Sequence, residues 1–176
     1  MNNLLLYNKK NLLSEGFFLL KFNAMGENID LFWKNFITDN TRYVNEKTPE
    51  SFYFCDNEKD ANDCAKLVVK KIKQATAPSL WSFEINNEKL PRKGDLNIIT
   101  NWNKVPQAII LTTKIELIKF SEITEKFAQR EGEGDKSLAY WKKVHKAYYK
   151  REMQGHKEEF SKDMIIVCQY FDTIYT

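Results

Sequence analysis

The segment that organises the chain lies at residues 127–141 and reads Phe127-Ala-Gln-Arg-Glu-Gly-Glu-Gly-Asp-Lys-Ser-Leu-Ala-Tyr-Trp141. One helical pattern ends here and another begins. Gly132 and Gly134 permit positive φ and a close approach of a ligand, and Glu131, Glu133 and Asp135 place carboxylates beside them. In a purely structural interpretation, Gly132 ends one helix and Asp135 caps the next. Three acids within five residues exceed what a cap requires, so the segment also predicts a binding or catalytic loop.

Helical patterns lie on both sides of this segment. Residues 121–131 predict one helix and residues 136–154 a second. In the second helix an apolar stripe recurs at helical spacing and contains one histidine: Leu138, Trp141, His145 and Tyr148. His145 is interpreted either as a core or groove-edge residue or as a catalytic one.

The rest of the chain alternates between helical and strand patterns. Helices are predicted from Asn28 or Asp30 to about Asn40, and from about Glu58 to Lys71, with a short turn of helix at residues 79–84. Strands are predicted at residues 96–100, 108–117 and 164–171. This order predicts an α+β fold with a small, mainly antiparallel sheet or barrel.

The length and composition of the chain indicate the number of domains and the cellular compartment. The chain has 176 residues, of which 43% are hydrophobic, and 27 basic groups nearly match 24 acidic ones. That length and apolar content predict a single domain, and the small net charge does not by itself indicate nucleic acid. The odd number of cysteines, without C-x-x-C spacing, predicts a reduced cytoplasmic protein without structural zinc. No membrane span is expected. Residues 1–24 are expected to be a poorly packed extension, with Met25 as a candidate start and residues 25–176 as one domain.

Two groups of residues have both a structural and a functional interpretation. Lys66, Lys70 and Lys71 form either a solvated helix face or a phosphate-contacting patch. Trp81 and Phe83 either pack in the core or stack on a base.

Several of these segments together resemble the ASCH domain, a bacterial type related to the PUA-like RNA-binding barrels. The matching features run from about Phe52 to Tyr175. They are the segment Lys71-Ile-Lys73-Gln-Ala-Thr76 against the family's G-x-K-x-x-T, the turn Lys93-Gly94-Asp95, the strand 108–116, the segment 127–135 and the closing Asp163-Met-Ile-Ile-Val-Cys. This chain has Lys71 where the family has glycine.

The resemblance implies a PUA-like small, mostly antiparallel β-barrel with flanking helices and a cleft in which Lys73, Thr76 and Glu131 converge. Some small ASCH proteins remove the acetyl group from acetylated cytidine, and their lysine, threonine and glutamate match these three residues. Others are described as ribonucleases. The expected partner is RNA or a modified nucleoside, with no cofactor and no metal. The wider predicted ligand-binding set is Ser79, Trp81, Arg130, Glu133, Asp135, Trp141 and His145.

The chemistry of these residues is consistent with amide hydrolysis. A threonine hydroxyl needs a base to accept its proton, and a lysine desolvated in a cleft can have a lowered pKa suited to that task. Glu131 would then protonate or polarise the leaving amine. Alternatively, Lys73 and Glu131 form a structural ion pair and Thr76 only bonds backbone. A non-catalytic RNA-binding or regulatory module is the competing functional class, and ribonuclease activity is a third possibility.

Overall fold

The computed structural model describes residues 28–176, and within that range the fold contains five α-helices, two short 3-10 helices and five strands. The expected extension at residues 1–24 and the candidate start at Met25 lie outside the described residues. The helices are α1 (28–39), α2 (Glu58–Val69), α3 (Leu80–Ile85), α4 (Glu125–Glu131) and α5 (Leu138–Glu152). The strands are β1 (Ser51–Phe52), β2 (Ala75–Thr76), β3 (Leu96–Thr100), β4 (Pro106–Lys119) and β5 (Ile165–Tyr175).

Polar side chains fix the starts of four helices. The side chains of Asn57, Ser79, Thr124 and Ser137 each accept a hydrogen bond from the backbone N–H three residues ahead, at the starts of α2, α3, α4 and α5. The prediction that Asp135 caps α5 is therefore wrong. Its carboxylate instead accepts a bond from the N–H of Ser137, at 2.8 Å, and so supports the residue that does cap the helix.

The five strands form one sheet in the order β1-β3-β4-β5-β2. The β1–β3 pairing is parallel and the other three are antiparallel. The predicted α+β class and mainly antiparallel sheet are confirmed. The predicted closed barrel is not, because β1 and β2 are the edges of this sheet within residues 28–176. Each of these edge strands has only two residues, which leaves little ladder with which to close the sheet.

Three apolar clusters hold the helices on the sheet. Ile98 belongs to the cluster under α1 and Ile99 to the cluster under α2, so these helices cover opposite faces of β3. The third cluster packs α4 and α5 against β5 through Phe127, Trp141 and Ile166. Burying one such large apolar side chain stabilises the fold by about 1.5–3 kcal/mol. The space between α2, α5 and the sheet contains the candidate site. No helix within the described part of the chain is long and apolar enough to cross a bilayer.

Gly132 ends α4 as predicted, in the left-handed conformation with φ of 73°. A Cβ atom at this position would lie 2.6 Å from the carbonyl oxygen of Ile72, which is backbone that cannot easily move. The segment that precedes Lys73 therefore packs directly on this glycine.

Gly132→Ala is expected to lower the free energy of unfolding by more than the roughly 1–2 kcal/mol that the left-handed conformation alone imposes on a side chain. The matched control is Gly155→Ala, because Gly155 also has positive φ, 87°, but nothing lies within 4 Å of its added Cβ. Urea unfolding of both variants measures the difference. Equal losses would contradict the close packing of Gly132 on Ile72.

Candidate functional site

The three predicted catalytic residues line one open cavity of about 1220 Å³. Lys73 follows α2, Thr76 lies in β2 and Glu131 ends α4. The chain segment of Lys73 is held on both sides, because the N–H of Gln74 donates to the carbonyl of Arg130 at 2.9 Å and the N–H of Phe171 donates to the carbonyl of Gln74 at 3.0 Å. These backbone bonds fix the start of β2 between α4 and β5.

Lys73 is a buried cation with two carboxylate partners. Its side chain is 1% exposed, and its Nζ lies 3.1 Å from Oε1 of Glu131 and 2.5 Å from Oε1 of Glu133. The ring of Phe54 lies below the same ammonium, with 5.0 Å between Nζ and the ring centroid. A buried ammonium is tolerated only when it is paired, and here the pairing is double.

Glu131 has partners at both of its oxygens. Oε1 accepts from Lys73, while Oε2 accepts from the indole N–H of Trp141 and lies 3.3 Å from Nε2 of His145. The imidazole of His145 stacks on the indole of Trp141 at a centroid distance of 4.0 Å. The carboxylate of Glu131 is thus buried and fully engaged, which is typical of a group that positions others.

The pKa values of this pair are shifted in opposite directions. Burial acts to raise the pKa of Glu131, but the charge of Lys73 and the contacts with His145 and Trp141 outweigh it, so the pKa is lowered. Burial likewise acts to lower the pKa of Lys73, but Glu131 and Glu133 outweigh it and the pKa is raised. The hypothesis of a lowered lysine pKa is therefore wrong, because it considered desolvation without the two carboxylates.

Glu133 faces the cavity from the glycine-rich loop. Its side chain is 21% exposed, in contrast to the 2% of Glu131. Besides the bond from Lys73, its Oε1 accepts a bond from the thiol of Cys64 at 3.4 Å. The flanking Gly134 has φ of 54°, and a Cβ there would lie 2.3 Å from the Tyr140 ring, so glycine is needed at that position.

The sequence that forms this cavity matches the model of a known protein family. The model of the ASCH domain matches residues 50–175, which include all the strands and the residues around Lys73. The chain belongs to the ASCH-domain family.

Two solved structures extend the match to most of the chain. The crystal structure of an ASCH domain from Lactobacillus crispatus is 34% identical, with a TM-score of 0.80 over 85% of this chain and 96% of that one. A protein from Enterococcus faecalis V583 is 33% identical, with a TM-score of 0.77 over 85% of this chain and 89% of that one. No curated protein matches the chain.

The backbone of this chain is left-handed at Lys71, which stands where the family pattern has glycine, with φ of 57°. Two backbone bonds hold it there: the N–H of Lys71 donates to the carbonyl of Val68, and the N–H of Ile72 donates to that of Leu67. The conformation that suits glycine is thus adopted by a lysine, at an expected cost of about 1–2 kcal/mol.

The predicted ligand-binding residues divide into two groups. Glu133 and His145 line the cavity. The other five do not, and each has a structural partner. Ser79 donates to Glu152 at 2.7 Å, Trp81 packs edge-on against His156, and Arg130 donates to the side chain of Gln74. Asp135 supports Ser137, and Trp141 lies behind Glu131.

The cavity is also lined by residues outside the predicted site set, among them Phe54, Tyr148 and Gln169. Phe54 contacts the ammonium of Lys73, and Tyr148 lines the wall and donates to Glu152 at 3.2 Å. Gln169 is paired in register with Thr76 across β2 and β5 and donates to Thr112 at 2.9 Å. The available signal for Gln169 was a glutamine inside the otherwise apolar run at residues 164–171.

Carboxylates outnumber bases in the cavity wall. The acidic lining residues are Glu50, Asp56, Asp60, Asp63, Glu88, Asp95, Glu131 and Glu133, and the lysines and arginine are Lys59, Lys73, Lys89 and Arg151. Three of the bases are already paired: Lys59 with Asp63 at 3.1 Å, Lys73 with Glu131 and Glu133, and Arg151 with Asp56 at 2.8 Å. The lysines of the possible phosphate-contacting patch, Lys66, Lys70 and Lys71, do not line the cavity.

Lys73→Met is expected to lower the free energy of unfolding by about 3–5 kcal/mol, because the Glu131 carboxylate remains buried without its main cation. Adding Glu131→Gln to that variant removes the unpaired buried charge. The double variant should therefore lose less stability than the sum of the two single variants, with a coupling of about 0.5–3 kcal/mol.

Urea unfolding of the four proteins measures this coupling. The control is Lys119→Met, which breaks an exposed pair with Asp163 of similar length, 3.2 Å, and should change stability little. Strict additivity of the Lys73 and Glu131 changes would contradict a direct interaction between them.

Proposed function

We propose that the cavity binds an uncharged, nucleoside-like ligand and that the protein hydrolyses the amide of an N-acylated nucleoside, with acetylated cytidine as the reference substrate. The observation that carries this proposal is the charge of the wall around Thr76. The lining residues carry eight carboxylates and four basic groups. Such a wall disfavours the phosphates of an RNA strand, which require unpaired cations, and accommodates a neutral nucleoside.

The half-buried Thr76 supplies the nucleophile. Its hydroxyl oxygen attacks the acyl carbon, and the carbonyl oxygen acquires negative charge. Lys73 remains an ammonium because of its two carboxylates, so it stabilises this oxyanion instead of accepting a proton. Its assigned role thus changes from base to electrostatic stabiliser.

Glu133 receives the proton of Thr76. Its carboxylate is partly exposed in the cavity, whereas both oxygens of Glu131 are already engaged. As the C–N bond breaks, Glu133 returns the proton to the leaving amine. Water then hydrolyses the threonine ester and releases the acid. Glu131 is the positioning residue that keeps Lys73 charged and in place.

Purified protein is expected to release acetate from acetylated cytidine, and Thr76→Ala should reduce kcat by roughly a thousandfold or more while binding persists, because the hydroxyl acts mainly in the transition state. Thr76→Ser should retain part of the rate. Glu133→Gln should reduce kcat by about a hundredfold or more, as for a lost general acid or base.

The matched control is Thr113→Ala, since Thr113 is a half-buried strand threonine outside the cavity wall. Binding of a short RNA, measured with the same variants, distinguishes a hydrolase from a non-catalytic RNA-binding module. Salt-sensitive RNA binding that survives Thr76→Ala, with no turnover of any acylated nucleoside, would favour a binding module and contradict the hydrolase.

A further inference from the structure

We propose that Cys55 and Cys64 form an oxidisable dithiol in the cavity wall, and that a disulfide between them removes a hydrogen bond from Glu133. Formation of the disulfide depends on the two cysteines alone, whereas its effect on turnover rests on the proposed function.

The two sulfur atoms already lie close together. Sγ of Cys55 is 3.7 Å from Sγ of Cys64, and both residues line the cavity. A disulfide bond is about 2.05 Å long, so the sulfurs must approach each other by under roughly 2 Å. Cys64 is held in α2 among buried residues, whereas Cys55 lies in the loop between β1 and α2. The loop residue is therefore the one that moves.

The difference in exposure between the two cysteines determines which thiol is oxidised first. Cys55 is partly exposed and Cys64 is buried, and the hydrogen bond with Cys55 together with burial raises the pKa of Cys64. The Cys55 thiolate attacks a hydroperoxide, forms a sulfenic acid and releases an alcohol, or water when the oxidant is hydrogen peroxide. Cys64 then loses its proton and displaces hydroxide, which leaves as water. Two thiols lose two protons and two electrons, and the peroxide bond is reduced.

Formation of the disulfide changes the hydrogen bonding of Glu133 in the candidate site. In the reduced protein the thiol of Cys64 donates to Oε1 of Glu133, the same oxygen that accepts from Lys73. A disulfide sulfur carries no proton, so this donation ends on oxidation. Phe54, the neighbour of Cys55 in the chain, places its ring 5.0 Å from Nζ of Lys73. Movement of Cys55 therefore acts on a second contact of the same ammonium.

The third cysteine provides an internal control. Cys168 is buried in β5 and does not line the cavity. It is expected to stay reduced at oxidant concentrations that link the other two.

The test for the disulfide treats the full chain with low concentrations of hydrogen peroxide, alkylates the remaining thiols after unfolding, and measures the mass. The expected product lacks two hydrogens, carries one alkylated cysteine, and returns to three alkylated cysteines after reduction. Trypsin cleavage after Lys59 separates Cys55 from Cys64, so a linked pair of peptides identifies the bond.

Cys55→Ser and Cys64→Ser should each abolish this product, and Cys168→Ser should not. Oxidation to sulfinic acid, linkage between two chains, or three unmodified thiols would each overturn the proposal.

The test for the coupling compares hydrogen–deuterium exchange of residues 131–135 in the oxidised and reduced protein. Exchange is expected to become faster on oxidation, and Cys168→Ser should behave like the unsubstituted protein. Identical exchange would overturn the coupling. The mass measurement and the exchange measurement are both independent of turnover, so they remain valid if the hydrolase proposal fails. Acetate release measures separately whether oxidation changes the rate of hydrolysis.

Discussion

The ammonium of Lys73 lies between the carboxylates of Glu131 and Glu133, almost completely removed from solvent, and the architecture of the site depends on this interaction. An unpaired ammonium at that depth would be strongly destabilising. Its partners come from distant parts of the chain, 58 and 60 residues away. The fold must therefore bring the segment after α2, the end of α4 and the glycine-rich loop together before the charge can be buried.

The two carboxylates differ in environment, which separates their roles. Glu131 is enclosed by Trp141 and His145, while Glu133 is partly open to the cavity. The lowered pKa of Glu131 gives stability that is present above its unfolded pKa of about 4.3 and is lost as pH falls through the folded value. The raised pKa of Lys73 gives stability that is present below about pH 10.4 and is lost as pH rises through the folded value. The ion pair thus contributes fully across the physiological range.

Local patterns predicted much of the fold, and long-range contacts account for most of the differences. The strand at residues 96–100 is confirmed residue for residue, since its apolar run is bounded by clear turn signals. The end of α4 at Gly132 followed from glycine's conformational freedom. The final strand extends past Phe171 to Tyr175 because it pairs with β4 as far as Ile109, a contact that no local pattern encodes. The grouping of Lys73, Thr76 and Glu131 in one cavity came from the family resemblance. The charged state of Lys73 was not predictable, because it depends on how close Glu133 comes in space.

The most direct test of this account is a titration of Lys73 by nuclear magnetic resonance, following the shifts of its ε-carbon and ζ-nitrogen in isotopically labelled protein, with assignment by Lys73→Met. Lys73 is expected to remain an ammonium beyond about pH 10.4, the pKa of an unperturbed lysine. A Lys73 side chain that loses its proton near neutral pH would contradict the double ion pair and would restore a neutral lysine as the base for Thr76.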